Sequence, residues 1–169
     1  MKKKKLIAIA SDHAGFEMKA AIQKTLKDWK WRDLGPLNDD RVDYPDFAAK
    51  LGKTVTAGQV ERGILICGSG FGMSNAANKI PGIRAAVVEN PSAARLSRQH
   101  NDANVLCLGS RFLAPAYGAE IARAWLEAGF SDDARHRNRI KKIHALEKKV
   151  SAPGKPVRRS KKTEKGAAK

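Results

Sequence analysis

Short apolar runs of strand length alternate with stretches of helical periodicity along most of this chain, and that alternation leaves few folds open. Residues 6–10, 64–67, 85–88 and 105–108 are continuous apolar runs, the pattern of strands buried on both faces, and a weaker run lies at 31–34. Between them, Met18, Ile22, Leu26 and Trp29 share one helical face, as do Phe47, Leu51 and Val55. Further on, Tyr117, Ile121 and Trp125 form a third such face, and Ile140, Ile143, Leu146 and Val150 a fourth. Strands alternating with helices predict an α/β fold with a parallel sheet and helices on both sides. In such sheets ligands bind beyond the carboxyl ends of the strands, so the residues that follow each strand are the ones to read for function. The longest loop of the core, 35–45, is a further candidate for lining a site.

Composition sets the boundaries. With 169 residues, 42% of them hydrophobic, the chain can form one domain, placed at 1–150. Residues 151–169 have no apolar periodicity and carry seven Lys/Arg against one Glu, so a disordered basic tail is expected there. It serves either as a solubilising extension or as a weak nucleic-acid contact. The net charge of +16 favours phosphate-bearing partners without choosing between nucleic acid and small metabolites. No apolar stretch approaches the ~18–20 residues of a membrane span, and the run after the basic start is too short for a secretory signal. A cytoplasmic protein with no membrane contact is expected. Two cysteines make no disulfide framework, and the four histidines are scattered without zinc-site spacing.

After the first strand come Ser11, Asp12 and His13, then a helix start, which favours anions. Asp12 reads either as a plain helix cap or as a site carboxylate beside an imidazole. The segment GILICGSGFGMSNAANK at 63–79 is the most informative. Gly68, Gly70 and Gly72 allow backbone amides to converge on an anion. The position three residues after Gly70 is Met73, which excludes the dinucleotide fingerprint, and Phe47 stands where a Walker A loop ending in Gly52-Lys53-Thr54 needs its first glycine. Cys67 ends the strand and opens this nest, where a thiol ionises more readily and a thiolate could take a proton from carbon. The alternative is a buried structural thiol, the expected fate of Cys107. His100 and Asn101 fall where a helix ends; the imidazole is either a proton carrier or a solvent-facing cap. Arg111 follows the last strand. Arg135 and Arg139, four apart in RHRNRIKKIHALEKKV, share a helical face suited to a phosphate clamp, while His144 and the neighbouring lysines read as a solvated face.

Taken together, IAIASDHAGF (7–16), DYP (43–45), GILICGSGFGMSNAANK (63–79), IRAA (83–86), SRQHNDANVLCLGSR (97–111) and RHRNRI (135–140) resemble the ribose-5-phosphate isomerase B family, which includes allose- and galactose-6-phosphate isomerases. The resemblance runs in order from residue 7 to about 147. It implies a Rossmann-like three-layer α/β/α sandwich with a five-stranded parallel sheet and no bound dinucleotide. It implies aldose–ketose isomerisation of a phosphosugar, with no metal and no organic cofactor. It further implies a homodimer or dimer of dimers whose sites are shared between subunits. The family's proton acceptor falls on Cys67, its ring-opening histidine on His100, and its Asp-His pair on Asp12 and His13. The anion cradle falls on Gly68, Ser69, Gly70, Phe71 and Gly72, with Tyr44 lining the cavity. Further sugar and phosphate contacts fall on Asn101, Arg111, Arg135 and Arg139. Ser69 stands where many members have Thr and keeps the hydroxyl that would shuttle protons. Met73 stands where some relatives carry a Glu base, which leaves Cys67 as the base of this loop. Asp133 and Ala134 replace a frequent Gly-Gly.

The substrate expected first is ribose 5-phosphate, isomerised to ribulose 5-phosphate through a cis-enediolate. A hexose 6-phosphate is the alternative within the class. A non-catalytic phosphate- or nucleic-acid-binding module using the basic tail is the alternative outside it, although the core carries no nucleic-acid motif.

Overall fold

A computed structural model describes residues 6–150; the expected basic tail, 151–169, lies outside the described residues. The apolar runs form β1 (Leu6–Ser11), β2 (Lys30–Asp33), β3 (Arg62–Cys67), β4 (Ala85–Val87) and β5 (Val105–Gly109). Helices α1 (Phe16–Thr25), α2 (Tyr44–Thr56), α3 (Phe71–Ala77), α4 (Pro91–Asn101) and α5 (Pro115–Glu127) follow the strands in turn, and α6 (Ala134–Val150) comes last. All strand pairs are parallel, in the order β2-β1-β3-β5-β4. The architecture is the α/β fold expected, with one five-stranded sheet.

Alternation along each strand splits the core in two. Ile7, Ile9, Ile64, Ile66, Leu106 and Leu108 face one layer, where Met18 and Ile22 of α1 and Ile121 and Trp125 of α5 are fully or almost fully buried. Ala8, Ala10, Leu65, Cys67, Val105 and Cys107 face the other, packed against Leu51 and Val55 of α2 and Met73 and Ala77 of α3. The residue that ends β3 is therefore directed to the α2–α3 layer by strand parity alone.

Three expected boundaries shift. The α1 face was expected to continue to Trp29, but the helix stops at Thr25. The Leu26 carbonyl accepts the Trp31 indole N–H at 3.3 Å, and the chain turns to enter β2 at Lys30, opposite Leu6. Trp29 then packs on the core from the turn. Strand β2 starts and ends one residue before the weak run at 31–34, and β4 stops one residue before Val88. On α6, Ile143 and Leu146 are 38% and 59% exposed, so the described residues cover the apolar face of that helix incompletely.

Candidate active site

The carboxyl ends of β1, β3 and β5 converge because the central strands are in register: Ser11 lies opposite Ile66, and Cys67 opposite Gly109. Ser110 ties the three ends together. Its amide and hydroxyl donate to the Cys67 carbonyl at 2.9 and 3.2 Å, and its hydroxyl also reaches the Ala14 carbonyl at 2.8 Å. The Arg111 amide donates to the Gly68 carbonyl at 3.0 Å, which brings that arginine over the glycine-rich loop.

A cavity of ≈ 260 Å³ opens at this edge, lined by Asp12, His13, Ala14, Arg41, Tyr44, Cys67, Gly68, Ser69, Gly72 and Arg111. Asp12 does part of a cap's work, since its Oδ1 accepts the Gly15 amide at 3.0 Å just ahead of α1. It is also a wall of the cavity. The Val42 amide points at Nδ1 of His13 at 3.5 Å, a long contact that leaves Nε2 as the nitrogen able to meet a ligand.

Cys67 is almost fully buried, yet its side chain reaches the cavity wall. The Gly70 amide donates to Sγ at 3.1 Å, and an amide so placed interacts most strongly with a sulfur that carries negative charge. That geometry depends on Gly70, whose φ of +78° belongs to the left-handed region that glycine enters at little cost. Gly72 is required for a different reason. A Cβ there would lie 2.8 Å from the Tyr44 ring, so the bare backbone lets the phenol roof the loop. Phe71 starts α3 but points outward, 54% exposed, and does not line the cavity. Cys107 behaves as the structural thiol expected: it is fully buried, and burial first, then the neighbouring Cys67, pushes its thiol far above the usual range.

The remaining expected residues lie elsewhere in the chain. Helix α4 runs from the carboxyl end of β4 back to the amino end of β5, so His100 and Asn101 sit at the opposite edge of the sheet from Cys67. The five residues of β5 separate the two edges by about 15 Å at roughly 3.3 Å per residue. Asn101 lines a different hollow, with Arg84 and Ile143. Arg135 and Arg139 are exposed on the first turns of α6, and Arg135 is paired with Asp133 at 3.4 Å. A single chain thus presents a thiol with a glycine-rich loop at one edge and an imidazole with two arginines at the other.

Three residues escaped the sequence reading. Arg41 lines the cavity from the long loop, and its one signal was that loop's length. Ser110 belongs to the SRQHNDANVLCLGSR stretch, but its role as a staple appears only when three strand ends meet. His136, set aside as one of four scattered histidines, is almost completely buried, and its ring centroid lies 4.5 Å from that of His100.

An open parallel α/β sheet with a polar cavity at its carboxyl edge, walled by a thiol, a carboxylate and cations, places the chain in the doubly wound class, whose ligands bind at that edge. Comparison with known proteins narrows this. The model of the ribose/galactose isomerase family matches residues 7–143. The ribose-5-phosphate isomerase B of Escherichia coli is 44% identical over 147 residues, spanning 86% of this chain and 98% of that protein. A solved ribose-5-phosphate isomerase B from Clostridium thermocellum superposes with a TM-score of 0.83 at 46% identity, covering 86% of this chain and 99% of its own. Its counterpart from Mycoplasma genitalium, solved with bound ribulose-5-phosphate, gives 0.79 at 44% identity over 85% of this chain and 96% of its own. The chain belongs to the ribose/galactose isomerase family and is a sugar-phosphate isomerase by that membership.

Proposed function

We propose that this chain interconverts ribose 5-phosphate and ribulose 5-phosphate in a pocket completed by a second copy of itself, with no metal or organic cofactor. The observation that carries the reading is the Cys67 sulfur, held by the Gly70 amide on the wall of a cavity that also presents Asp12, His13 and Arg111. The E. coli relative's activity and the ribulose-5-phosphate seen in the M. genitalium structure support the choice of a five-carbon substrate.

The chemistry divides into two stages. In ring opening, His100 delivers a proton to the ring oxygen as the C1–O4 bond breaks, while the anomeric hydroxyl loses its proton to Asp12 and becomes the aldehyde. In isomerisation, the Cys67 thiolate takes the C2 proton, giving a cis-enediolate, and returns it to C1. Ser69 moves the hydroxyl proton between O2 and O1, and the loop amides other than that of Gly70, which serves the sulfur, hold the developing oxyanion. His13, Arg111, Arg135 and Arg139 would anchor the phosphate, with Asn101 and Tyr44 on the sugar, so that remote binding energy aligns the reacting carbons. The second copy enters because His100, Asn101, Arg135 and Arg139 stand at the opposite sheet edge from Cys67 in their own chain.

Purified protein assayed against ribose 5-phosphate, allose 6-phosphate and galactose 6-phosphate tests the reading. The highest kcat/KM is expected on ribose 5-phosphate, unchanged after chelator treatment, and a clear hexose preference would overturn the substrate. Cys67→Ala should lower kcat by about a thousandfold with an unaltered circular dichroism spectrum. Full activity in that variant would remove the thiolate from the mechanism.

A further inference from the structure

The imidazole assigned to ring opening stands on the last turn of α4, a place where a side chain is ordinarily loose. Here it is held from an unexpected direction. The Ser131 amide donates to the Gln99 carbonyl at 3.1 Å, which fastens the turn before α6 to the residue preceding His100. The Ser131 hydroxyl lies 2.7 Å from Nδ1 of His136. The His136 ring, 3% exposed, packs on that of His100 at 4.5 Å with an interplanar angle of 34°. Two non-glycine residues adopt left-handed backbone to close this arrangement, Asp102 at φ +46° after α4 and Asp132 at φ +54° before α6. The circuit therefore runs from backbone at 99, through Ser131 and His136, to the imidazole at 100.

We propose that Ser131 and His136 form a positioning pair that fixes the orientation of the His100 imidazole for the ring-opening proton transfer. The inference rests on the reading of His100 given above. His136 acts through His100 and meets neither sugar nor phosphate. Burial, then the proximity of His100 and Arg135, holds His136 below the usual histidine range. Asp133 opposes that shift and Arg139 adds to it. A neutral ring accepting at Nδ1 from the Ser131 hydroxyl keeps its own proton on Nε2, and does not compete with His100 for charge. Proton transfer tolerates little misplacement, and an error of about 1 Å can cost about a hundredfold.

Ring opening can be read alone in Cys67→Ala enzyme, where no proton leaves carbon. The rate of exchange between the two furanose anomers of ribose 5-phosphate, followed by NMR, then reports the first stage only. Adding Ser131→Ala or His136→Phe is expected to slow the enzyme-driven exchange about tenfold, while Ser131→Thr, which restores the hydroxyl, keeps it. With Cys67 intact, the same two substitutions should lower kcat on ribose 5-phosphate and leave KM within about twofold. Exchange unaffected by both substitutions would overturn the positioning pair. Exchange unaffected by His100→Asn, or absent with all three residues present, would overturn the reading of His100 itself and this inference with it.

Discussion

Gly72 shows how closely one position is set by its neighbours. A methyl group placed there meets the Tyr44 ring at 2.8 Å, and Tyr44 is 39% exposed and free to swing outward. Gly72→Ala is therefore expected to raise KM severalfold by displacing the cavity roof, with a loss in stability of about 1 kcal/mol or less, as kinetics and thermal unfolding together would reveal. Cys107 makes a second prediction. Its thiol is raised in the folded protein but ordinary when unfolded, so the stability it contributes is complete below about pH 8.5 and is lost as pH climbs toward the folded value. Wild type should lose up to about 1.4 kcal/mol more than Cys107→Ala for each unit above pH 8.5, measured by urea unfolding across the alkaline range. At neutral pH an alkylating reagent should modify Cys67 and spare Cys107. Asp12 and Cys67 were legible in the sequence because strand-end position follows from periodicity. Arg41, Ser110 and His136 were not, since each owes its place to chain segments that meet only after folding.

Elements built on continuous apolar runs were the readable ones, because burial on both faces leaves one consistent pattern. Strand β2, Lys-Trp-Arg-Asp on the sheet's edge, was weak for the same reason: one side of it faces water, and its residues are half-buried or exposed. The end of α1 misled because Trp29 continues the helical spacing, whereas Leu26 already leaves helical backbone and its carbonyl accepts the Trp29 amide and the Trp31 indole in a turn. Helix α4 begins at Asn90, whose side chain accepts the Ala93 amide at 2.8 Å, with Pro91 in the first turn. Asn90→Ala should cost about 1 kcal/mol in denaturant unfolding. A loss indistinguishable from zero would mean that α4 is held by packing on α5 and α6 alone.

At the scale of the whole molecule, sequence order could not say which edge of the sheet each candidate residue would occupy. Motifs at 63–79 and 97–111 read as one site, yet the crossover through α4 carries His100 and Asn101 to the far side. Under the proposed sharing of sites, Cys67→Ala and His100→Asn chains, each inactive alone, should regain about a quarter of wild-type activity when co-expressed and allowed to pair at random. No recovery would mean that each pocket is made by one chain. The same partition has a genetic corollary. A chain bearing both substitutions would spoil each of the two pockets it helps to wall, so its expression alongside the normal chain should act as a dominant poison, silencing more enzyme than its own share of the population.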